Sequence, residues 1–171
     1  EHLIFMTELH TSETGHIAPL ARHTFGKEEH LYLRNDIESL FSAGSKSVNI
    51  FPIRAVYRLE QGAREHCVKV MVSVSKRRLR HAVDRNRAKR QMREAYRLQK
   101  EYLVNAVPEG YCLNVGFIWL PSQPLNSPTI HQTIQKLMLR IGENIRKKTE
   151  IVGNSRIKVY ADGNLIEDKS L

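Results

Sequence analysis

The side chains best suited to chemistry in this sequence are the basic ones concentrated between positions 76 and 97. This window contains ten Lys or Arg against two acids, Asp84 and Glu94, so it holds nearly all of the net charge of +9 carried by the 171 residues. Arg presents a planar fork of donors to phosphate oxygens, and each phosphate that is neutralised releases condensed counterions. The chemistry that these residues indicate is binding to a nucleic-acid backbone.

An α-helix that begins near Asp84 would divide this segment into two faces. Side chains spaced by three and four form an apolar arc that can pack on a core: Ala88, Met92, Ala95, Tyr102 and Leu103. The other side, with its two edges, is cationic and consists of Arg85, Asn86, Arg87, Lys89, Arg90, Arg93 and Arg97. Asp84 would cap the helix and lie at the positive end of its dipole.

A charged helix face is ordinarily only solvated, but such faces mix signs to form pairs between residues i and i+4. This face is almost entirely of one sign. An anionic partner would relieve the repulsion, which favours a nucleic-acid ligand over a merely solvated surface. A basic DNA-binding helix is the weaker alternative, because no leucine heptad continues around Leu98 and no second recognition helix is evident.

Residues 73 to 97 read SVSKRRLRHAVDRNRAKRQMREAYR, which closely resembles the signature of the bacterial ribonuclease P protein family. In that signature, a strand ending in a Ser-Val-Ser-Lys-like sequence leads to a helix with an Arg-Asn-Arg motif, here Arg85, Asn86 and Arg87. The resemblance covers roughly residues 25 to 148. It implies a subunit of the endoribonuclease that removes the 5′ leader from precursor tRNA, with the catalytic RNA and precursor tRNA as partners.

The resemblance also implies two RNA-binding surfaces. The catalytic RNA would contact the basic segment at Lys76, Arg77, Arg78, Arg85, Asn86, Arg87, Lys89, Arg90, Arg93 and Arg97. The single-stranded leader would lie in a cleft between the first helix and the sheet, with Ile37, Phe41, Arg54, Tyr57 and Arg58 as candidates. An aromatic ring stacks on any base, and an arginine can meet the backbone. For Phe41 and Tyr57 a core position is an equally open interpretation, and Ile37 stands where the family commonly has an aromatic residue.

The chain itself offers no convincing catalytic set. A protein ribonuclease needs paired acid and base groups, or carboxylates that hold metal ions. His30, His66, His81 and His131 are scattered, and the acids of the basic segment lie among arginines that more simply pair with them. We expect the active site and its Mg²⁺ to lie in the RNA, with no metal or other cofactor bound by the protein alone. The alternative function is a structural rRNA-binding protein of ribosomal type without a cleavage role.

Composition and hydropathy favour an ordinary cytoplasmic protein. Hydrophobic residues make up 41% of the chain, no apolar run approaches the roughly eighteen residues of a membrane span, and no signal peptide is recognisable. Cys67 and Cys112 lie in apolar runs without a CxxC or Cys/His cluster, so we expect core thiols. The net charge favours a monomer when the protein is free, and the modest apolar face of the basic helix argues against membrane binding.

The elements ahead of the basic segment are a short helix and two strands. The helix is predicted to start in a capping box at Asn35 and to stop at Gly44. Strands are predicted at residues 51–59 and 67–74 from their alternating apolar side chains. We expect these two strands to pair antiparallel.

The elements after the basic segment are a third strand and a last helix. The strand is predicted at residues 111–120, after a break at Pro108. Ser127 would cap the last helix, with Pro128 in its first turn. Its core stripe is Ile130, Ile134, Leu137, Met138, Ile141 and Ile145.

These elements predict an α+β fold, a compact two-layer α/β sandwich in the order α-β-β-α-β-α with room for one further strand. The resemblance implies that the β-α-β crossover in it is left-handed. We assign residues 1–26 to a flexible N-terminal arm, 27–148 to the ribonuclease P protein-like domain and 149–171 to a C-terminal tail with a strand-like patch at 157–160. The arm carries His2, His10, His16 and His23 without the spacing of metal ligands.

Overall fold

The computed structural model describes residues 24–62 and 67–154. Its elements are, in chain order, a 3-10 turn (Lys27–Glu29), α1 (Arg34–Phe41), β1 (Lys46–Ile50), β2 (Ile53–Gln61), β3 (Val68–Ser73), α2 (Ala82–Gln99), α3 (Glu101–Val104), β4 (Tyr111–Trp119) and α4 (Ser127–Asn154). The order agrees with the predicted α+β class. The short β1 is the further strand for which the prediction left room.

The four strands form one mixed sheet in the order β1-β2-β4-β3. β4 is antiparallel to β2 and parallel to β3, so that Val115 is paired with both Tyr57 and Val70. The parallel pairing confirms a crossover from β3 through α2 to β4. The predicted antiparallel pairing of residues 51–59 with 67–74 is wrong, because β4 is inserted between these strands. Strands that follow each other in the sequence are neighbours in the sheet in only about two-thirds of cases, and β2 and β3 are an exception.

Helices cover both faces of the sheet. α2 and α4 pack on one face and form the main core, while α1 packs on the other over a small cluster of Leu31, Leu40 and Val56. The two faces follow from the alternation along β2, where Ile53, Ala55 and Tyr57 point to the main core and Val56 points to α1.

α4 closes the main core. The predicted stripe is confirmed, since Ile130, Ile134, Leu137, Met138, Ile141 and Ile145 are all buried. The cap differs from the prediction: Asn126, one residue earlier than Ser127, accepts a hydrogen bond on its Oδ1 from the Thr129 N–H at 3.1 Å. The helix continues to Asn154, past the predicted boundary at residue 148.

α2 turns its apolar arc toward α4 and the sheet. The buried residues of α2 and α3 are Ala88, Met92, Ala95, Tyr96 and Leu103. Tyr96 was not predicted to be buried. Tyr102 was, but it is 41% exposed. The reason is that α2 ends at Gln99 and α3 starts a new short helix, which breaks the continuous arc on which the prediction depended.

The two other helix starts also differ from the prediction. α1 begins at Arg34, so Asn35 lies inside its first turn rather than at the cap. α2 begins at Ala82, which leaves Asp84 in the first turn, where its charge still suits the helix dipole. Gly44, at φ +94°, makes the turn that follows α1.

Residues 24–26, assigned from the sequence to a flexible arm, pack on the domain. Phe25 meets Tyr96 edge to face with ring centroids 5.3 Å apart. Nζ of Lys100 donates hydrogen bonds to the Thr24 carbonyl at 2.7 Å and to Oε1 of Glu29 at 2.6 Å. These contacts fasten the segment ahead of α1 to the end of α2.

The remaining predictions concern the cysteines, membrane-spanning helices and residues near the chain ends. Cys112 is buried, Cys67 is half-buried against the core, and both are free thiols, in agreement with the prediction. Within residues 24–62 and 67–154, no helix is long and apolar enough to cross a membrane. The predictions for His2, His10, His16, His23, His66 and the patch at 157–160 lie outside the described residues.

Candidate nucleic-acid interface

The rotation of α2 decides which of its basic side chains reach solvent. Its buried side, with Met92 at 0% exposure, packs in the main core, and this turns Asn86, Arg87 and Arg90 outward into solvent. Among the described residues, none forms a hydrogen bond or an ion pair with Arg87 or Arg90. These two guanidinium groups are therefore held on a rigid support with their donors available to phosphates.

The loop before α2 presents further cations. Its backbone is fixed, because Leu79 is buried and the N–H of Arg78 donates to the Ser75 carbonyl at 3.1 Å. Nη1 of Arg85 donates to the carbonyls of Leu79 at 3.0 Å and Arg80 at 2.7 Å. The exposed side chains of this loop are Lys76, Arg77, Arg78 and Arg80. Arg85, predicted as a direct RNA contact, is thus engaged in positioning the loop that carries the others.

The C-terminal half of the cationic face is partly neutralised. Arg97 donates to Glu94 from Nη2 at 2.6 Å and from Nε at 2.9 Å. This hydrogen bonding raises the pKa of Arg97 and lowers the pKa of Glu94. Arg93 and Lys89 are half-buried, and Nε of Arg93 has no hydrogen-bond partner in the described part of the chain. The sequence grouped Arg93 with Arg97, but only Arg97 has a carboxylate partner.

A second surface is a groove of about 210 Å³ beside the end of α1, which we call the α1 groove. Phe41, 51% exposed, lines it together with Lys46 and Arg54, and Val56 and Ile118 of the sheet contribute apolar surface. The hydroxyls along it are those of Ser42, Ser45 and Ser47. An aromatic ring next to two cations and several hydroxyls suits a single-stranded nucleic acid, since the ring can stack on a base while the cations meet the backbone.

The position of α1 over the sheet depends on close packing. Leu40 is fully buried, and a Cβ added at Gly116 would lie 3.1 Å from its Cδ2, so glycine allows the helix to approach β4. Ile37, a predicted cleft residue, is half-buried and packs on the same cluster as Leu40. Ile37 therefore anchors α1, while Phe41, one turn later, lines the groove.

Tyr57, the second aromatic cleft candidate, lies on the wrong face of the sheet. It is 3% exposed and belongs to the main core under α4. Burial raises the pKa of its hydroxyl, which also hydrogen-bonds with Asn144. The prediction fails because side chains alternate along a strand, so Tyr57 and Arg54 cannot both face α1.

Arg58, predicted to meet the leader backbone, is occupied by the protein itself. Its Nη1 donates to the Ser42 hydroxyl at 2.8 Å and to the carbonyls of Ala43 at 3.1 Å and Ser39 at 3.2 Å. Its Nε lies 3.0 Å from Oε1 of Glu60. Arg58 therefore holds the end of α1 on β2, and Arg54 is the arginine of β2 that lines the groove.

Lys46 was not among the predicted site residues. It lies in β1, a strand of five residues with two exposed polar side chains at its start, and so short a strand gives a weak signal. The pairing of β1 with β2 sets Asn49 opposite Arg54 and Lys46 opposite Tyr57, so the register of the strands would not have indicated that Lys46 lines the groove.

Of the described histidines, His30 packs against an aromatic ring and His81 is exposed. His30 packs on Phe25 with ring centroids 4.0 Å apart, and burial lowers its pKa. His81 immediately precedes α2. No three His, Cys, Asp or Glu side chains come together as a possible metal site within the described segments.

Comparison with known proteins relates the chain to one family. The family model described as Ribonuclease P matches residues 25–142. A ribonuclease P protein component of Porphyromonas gingivalis is 39% identical over 125 residues, which cover 71% of this chain and 90% of that protein. A ribonuclease P protein component of Chlorobium phaeobacteroides is 35% identical over 99 residues, covering 56% of this chain and 63% of that protein.

Solved structures show the same fold. The RNase P protein from Thermotoga maritima aligns with a TM-score of 0.50 at 22% identity, covering 66% of this chain and 96% of that one. The Staphylococcus aureus RNase P protein aligns with a TM-score of 0.51 at 18% identity, covering 66% and 94%. At these identities the likeness concerns the arrangement of helices and strands.

Proposed function

The chain belongs to the family of ribonuclease P protein components, and on that basis we propose that it binds RNA through two surfaces, the cationic face of α2 and the α1 groove. It is a subunit of the endoribonuclease that matures the 5′ ends of tRNA. The structural rRNA-binding alternative is not favoured, because the relatives matched over most of their length are ribonuclease P protein components.

The α2 face would hold the catalytic RNA. Arg87 and Arg90 project from a helix that is anchored by Met92, and Lys76 to Arg80 extend the same cationic surface through the preceding loop. A rigid array of this kind meets a folded RNA backbone with little loss of conformational entropy. Each phosphate neutralised would also release counterions, so binding should weaken steeply with salt.

The α1 groove would hold the single-stranded 5′ leader of precursor tRNA. Phe41 would stack on one base, a contact that contributes about 1–3 kcal/mol and tolerates any base because every base has a π-face. Lys46 and Arg54, which also line the groove, would meet the adjoining phosphates. Binding there would let one subunit recognise precursors that differ in leader sequence.

The bond cleavage itself would take place in the RNA. The described part of this chain provides no cluster of metal ligands, and we propose that the Mg²⁺ of the ribonucleoprotein active site is held by RNA groups. The protein would contribute by positioning the substrate and by reducing the charge repulsion between two RNAs. Both effects act on binding and orientation.

The observation that carries this proposal is the pair of exposed guanidinium groups of Arg87 and Arg90, which have no partner among the described residues and lie on a helix with a buried opposite face. The test is 5′ cleavage of a precursor tRNA at low Mg²⁺ by the catalytic RNA alone, by the protein alone and by both together. We expect cleavage only, or far faster, in the combination. A lack of stimulation at every salt and Mg²⁺ concentration, with RNA binding intact, would instead favour the structural RNA-binding alternative.

A further inference from the structure

A third surface lies between α2 and the start of α4. A groove of about 450 Å³ opens there, which we call the α2–α4 groove. α2 contributes Arg90 and Arg93 to it, α4 contributes His131, and the segment ahead of α1 contributes Phe25. Three separate parts of the chain thus meet at one concave surface.

Only one of the three arginines in this groove has a carboxylate partner among the described residues. Arg97 and Glu94 also line it, but they form the ion pair described above. Arg90 is exposed without a partner among the described residues, and the buried Nε of Arg93 likewise lacks one. A partly desolvated cation is unfavourable unless an anion compensates it. Two of the three arginines are therefore available to an anionic ligand.

The groove is preformed. Nε2 of Gln91 donates to the Leu125 carbonyl at 3.1 Å and to the Ser127 hydroxyl at 3.0 Å, which ties α2 to the start of α4. Phe25 is held by its ring contacts with His30 and Tyr96. Because Phe25 remains only half-buried, part of its ring is available in the groove. A ligand would meet fixed walls, so little binding energy would be lost to ordering them.

We propose that the α2–α4 groove binds a phosphodiester linkage of RNA, with the phosphate held by Arg90 and Arg93 and the adjoining nucleoside against Phe25 and His131. The inference rests on the proposed function and extends it with a third contact, which recruits α4 and the segment ahead of α1. Guanidinium forks match phosphate oxygens, and an aromatic ring accepts any base. The linkage can come from the catalytic RNA or from precursor tRNA.

The test compares two substitutions that add the same negative charge to adjacent positions of α4. His131 lines the groove, whereas Gln132 is exposed and does not line it. For the full chain, we expect His131→Glu to weaken RNA binding about tenfold and to lower the slope of log affinity against log salt by about one, the effect of losing one phosphate contact. Gln132→Glu should change the affinity by less than about twofold.

Two binding measurements identify the source of the phosphate. A selective loss by His131→Glu in binding of the protein to catalytic RNA would place that RNA in the groove. A selective loss in binding of precursor tRNA to the assembled holoenzyme would place the substrate there. Equal affinities of His131→Glu and Gln132→Glu for both RNAs would overturn the inference. Thermal unfolding of both variants shows whether either substitution has impaired folding.

Arg87→Ala separates failure of this inference from failure of the proposed function, since Arg87 does not line the groove. If Arg87→Ala weakens RNA binding while the two α4 variants behave alike, only the inference fails. If the unaltered protein neither stimulates cleavage nor responds to Arg87→Ala, the proposed function fails as well. Arg93→Lys provides an independent check, because it keeps the charge and removes the planar fork. We expect it to weaken binding several-fold, and an unchanged affinity would overturn the assigned phosphate position.

Discussion

Nη1 of Arg58 lies 2.8 Å from the hydroxyl of Ser42, the residue that immediately follows α1, and this contact fastens the helix to β2. The same group donates to the carbonyl of Ser39, in the last turn of α1 at the negative end of the helix dipole, and to that of Ala43, just beyond the helix. Arg54, four residues earlier on the same face of β2, is exposed and lines the α1 groove. One strand face thus combines an arginine that holds α1 with an arginine that lines the groove.

Replacing these two arginines should separate stability from binding. Arg58→Met removes several charge-assisted hydrogen bonds, so we expect it to lower the free energy of unfolding by about 1–3 kcal/mol. Arg54→Met, at an exposed position, should change it by less than about 0.5 kcal/mol. Urea denaturation of both variants at pH 7 measures the difference. Equal losses would mean that Arg58 does not hold α1.

Phe41→Ala should reduce recognition of the leader. Its ring is half-exposed, so the fold should tolerate the change, while the lost base stacking should cost about 1–3 kcal/mol in holoenzyme affinity for precursor tRNA. The affinity for mature tRNA, which has no leader, should not change. Phe51→Ala is the matched control, because Phe51 is 73% exposed and lies outside the α1 groove. A loss shared by Phe51→Ala, or by mature tRNA, would contradict leader stacking on Phe41.

The sequence predicted what local periodicity encodes and missed what depends on distant contacts. The stripe from Ile130 to Ile145 was correct because a spacing of three and four residues specifies a helix face directly. The pairing of β2 with β3 was wrong because the insertion of β4 is decided elsewhere in the chain. Arg54 and Arg58 have the same residue type and face, and only the position of the α1 terminus distinguishes their roles.

For the site, the sequence located the basic helix but did not reveal the roles of its individual residues. The Arg-Asn-Arg motif located the cationic helix, but it could not show that Arg85 supports a loop or that Glu94 neutralises Arg97. Tyr57 was assigned to the cleft by resemblance, although the alternation of side chains along β2 already placed it on the other face of the sheet from Arg54.

Alkaline pH should destabilise the folded protein through its buried tyrosines. Burial raises the pKa of Tyr96 well above its ordinary value of 10.0, and the pKa of Tyr57 is also raised. The folded state therefore holds these protons more tightly than the unfolded state, and the stability this provides is complete below pH 10 and is lost as the pH rises above it. The free energy of unfolding, measured in urea between pH 8 and about 11, should fall less steeply for Tyr96→Phe. Tyr32→Phe, at an exposed position, should leave the profile unchanged, and a parallel decline in all three proteins would contradict the assignment.

Arg87→Ala and Arg90→Ala should weaken binding to the catalytic RNA without unfolding the protein. Both side chains are exposed on α2, so each substitution should leave the free energy of unfolding within about 0.5 kcal/mol of its original value and should reduce the salt slope of binding by about one. Lys136→Ala is the matched control, because it removes the same charge from an exposed position on α4 that lines a different groove, next to β1. It should leave the salt slope unchanged.

Met92→Asp tests the opposite face of the same helix. Met92 is fully buried in the main core, where a carboxylate would be desolvated without a partner, so we expect loss of the cooperative unfolding transition or a destabilisation of several kcal/mol. Circular dichroism during thermal unfolding measures this directly, beside Arg90→Ala. If Arg90→Ala unfolded the protein while Met92→Asp left it folded, the rotation of α2 would be reversed. The assignment of its cationic face to RNA would then lose its structural basis, because Arg90 would belong to the core.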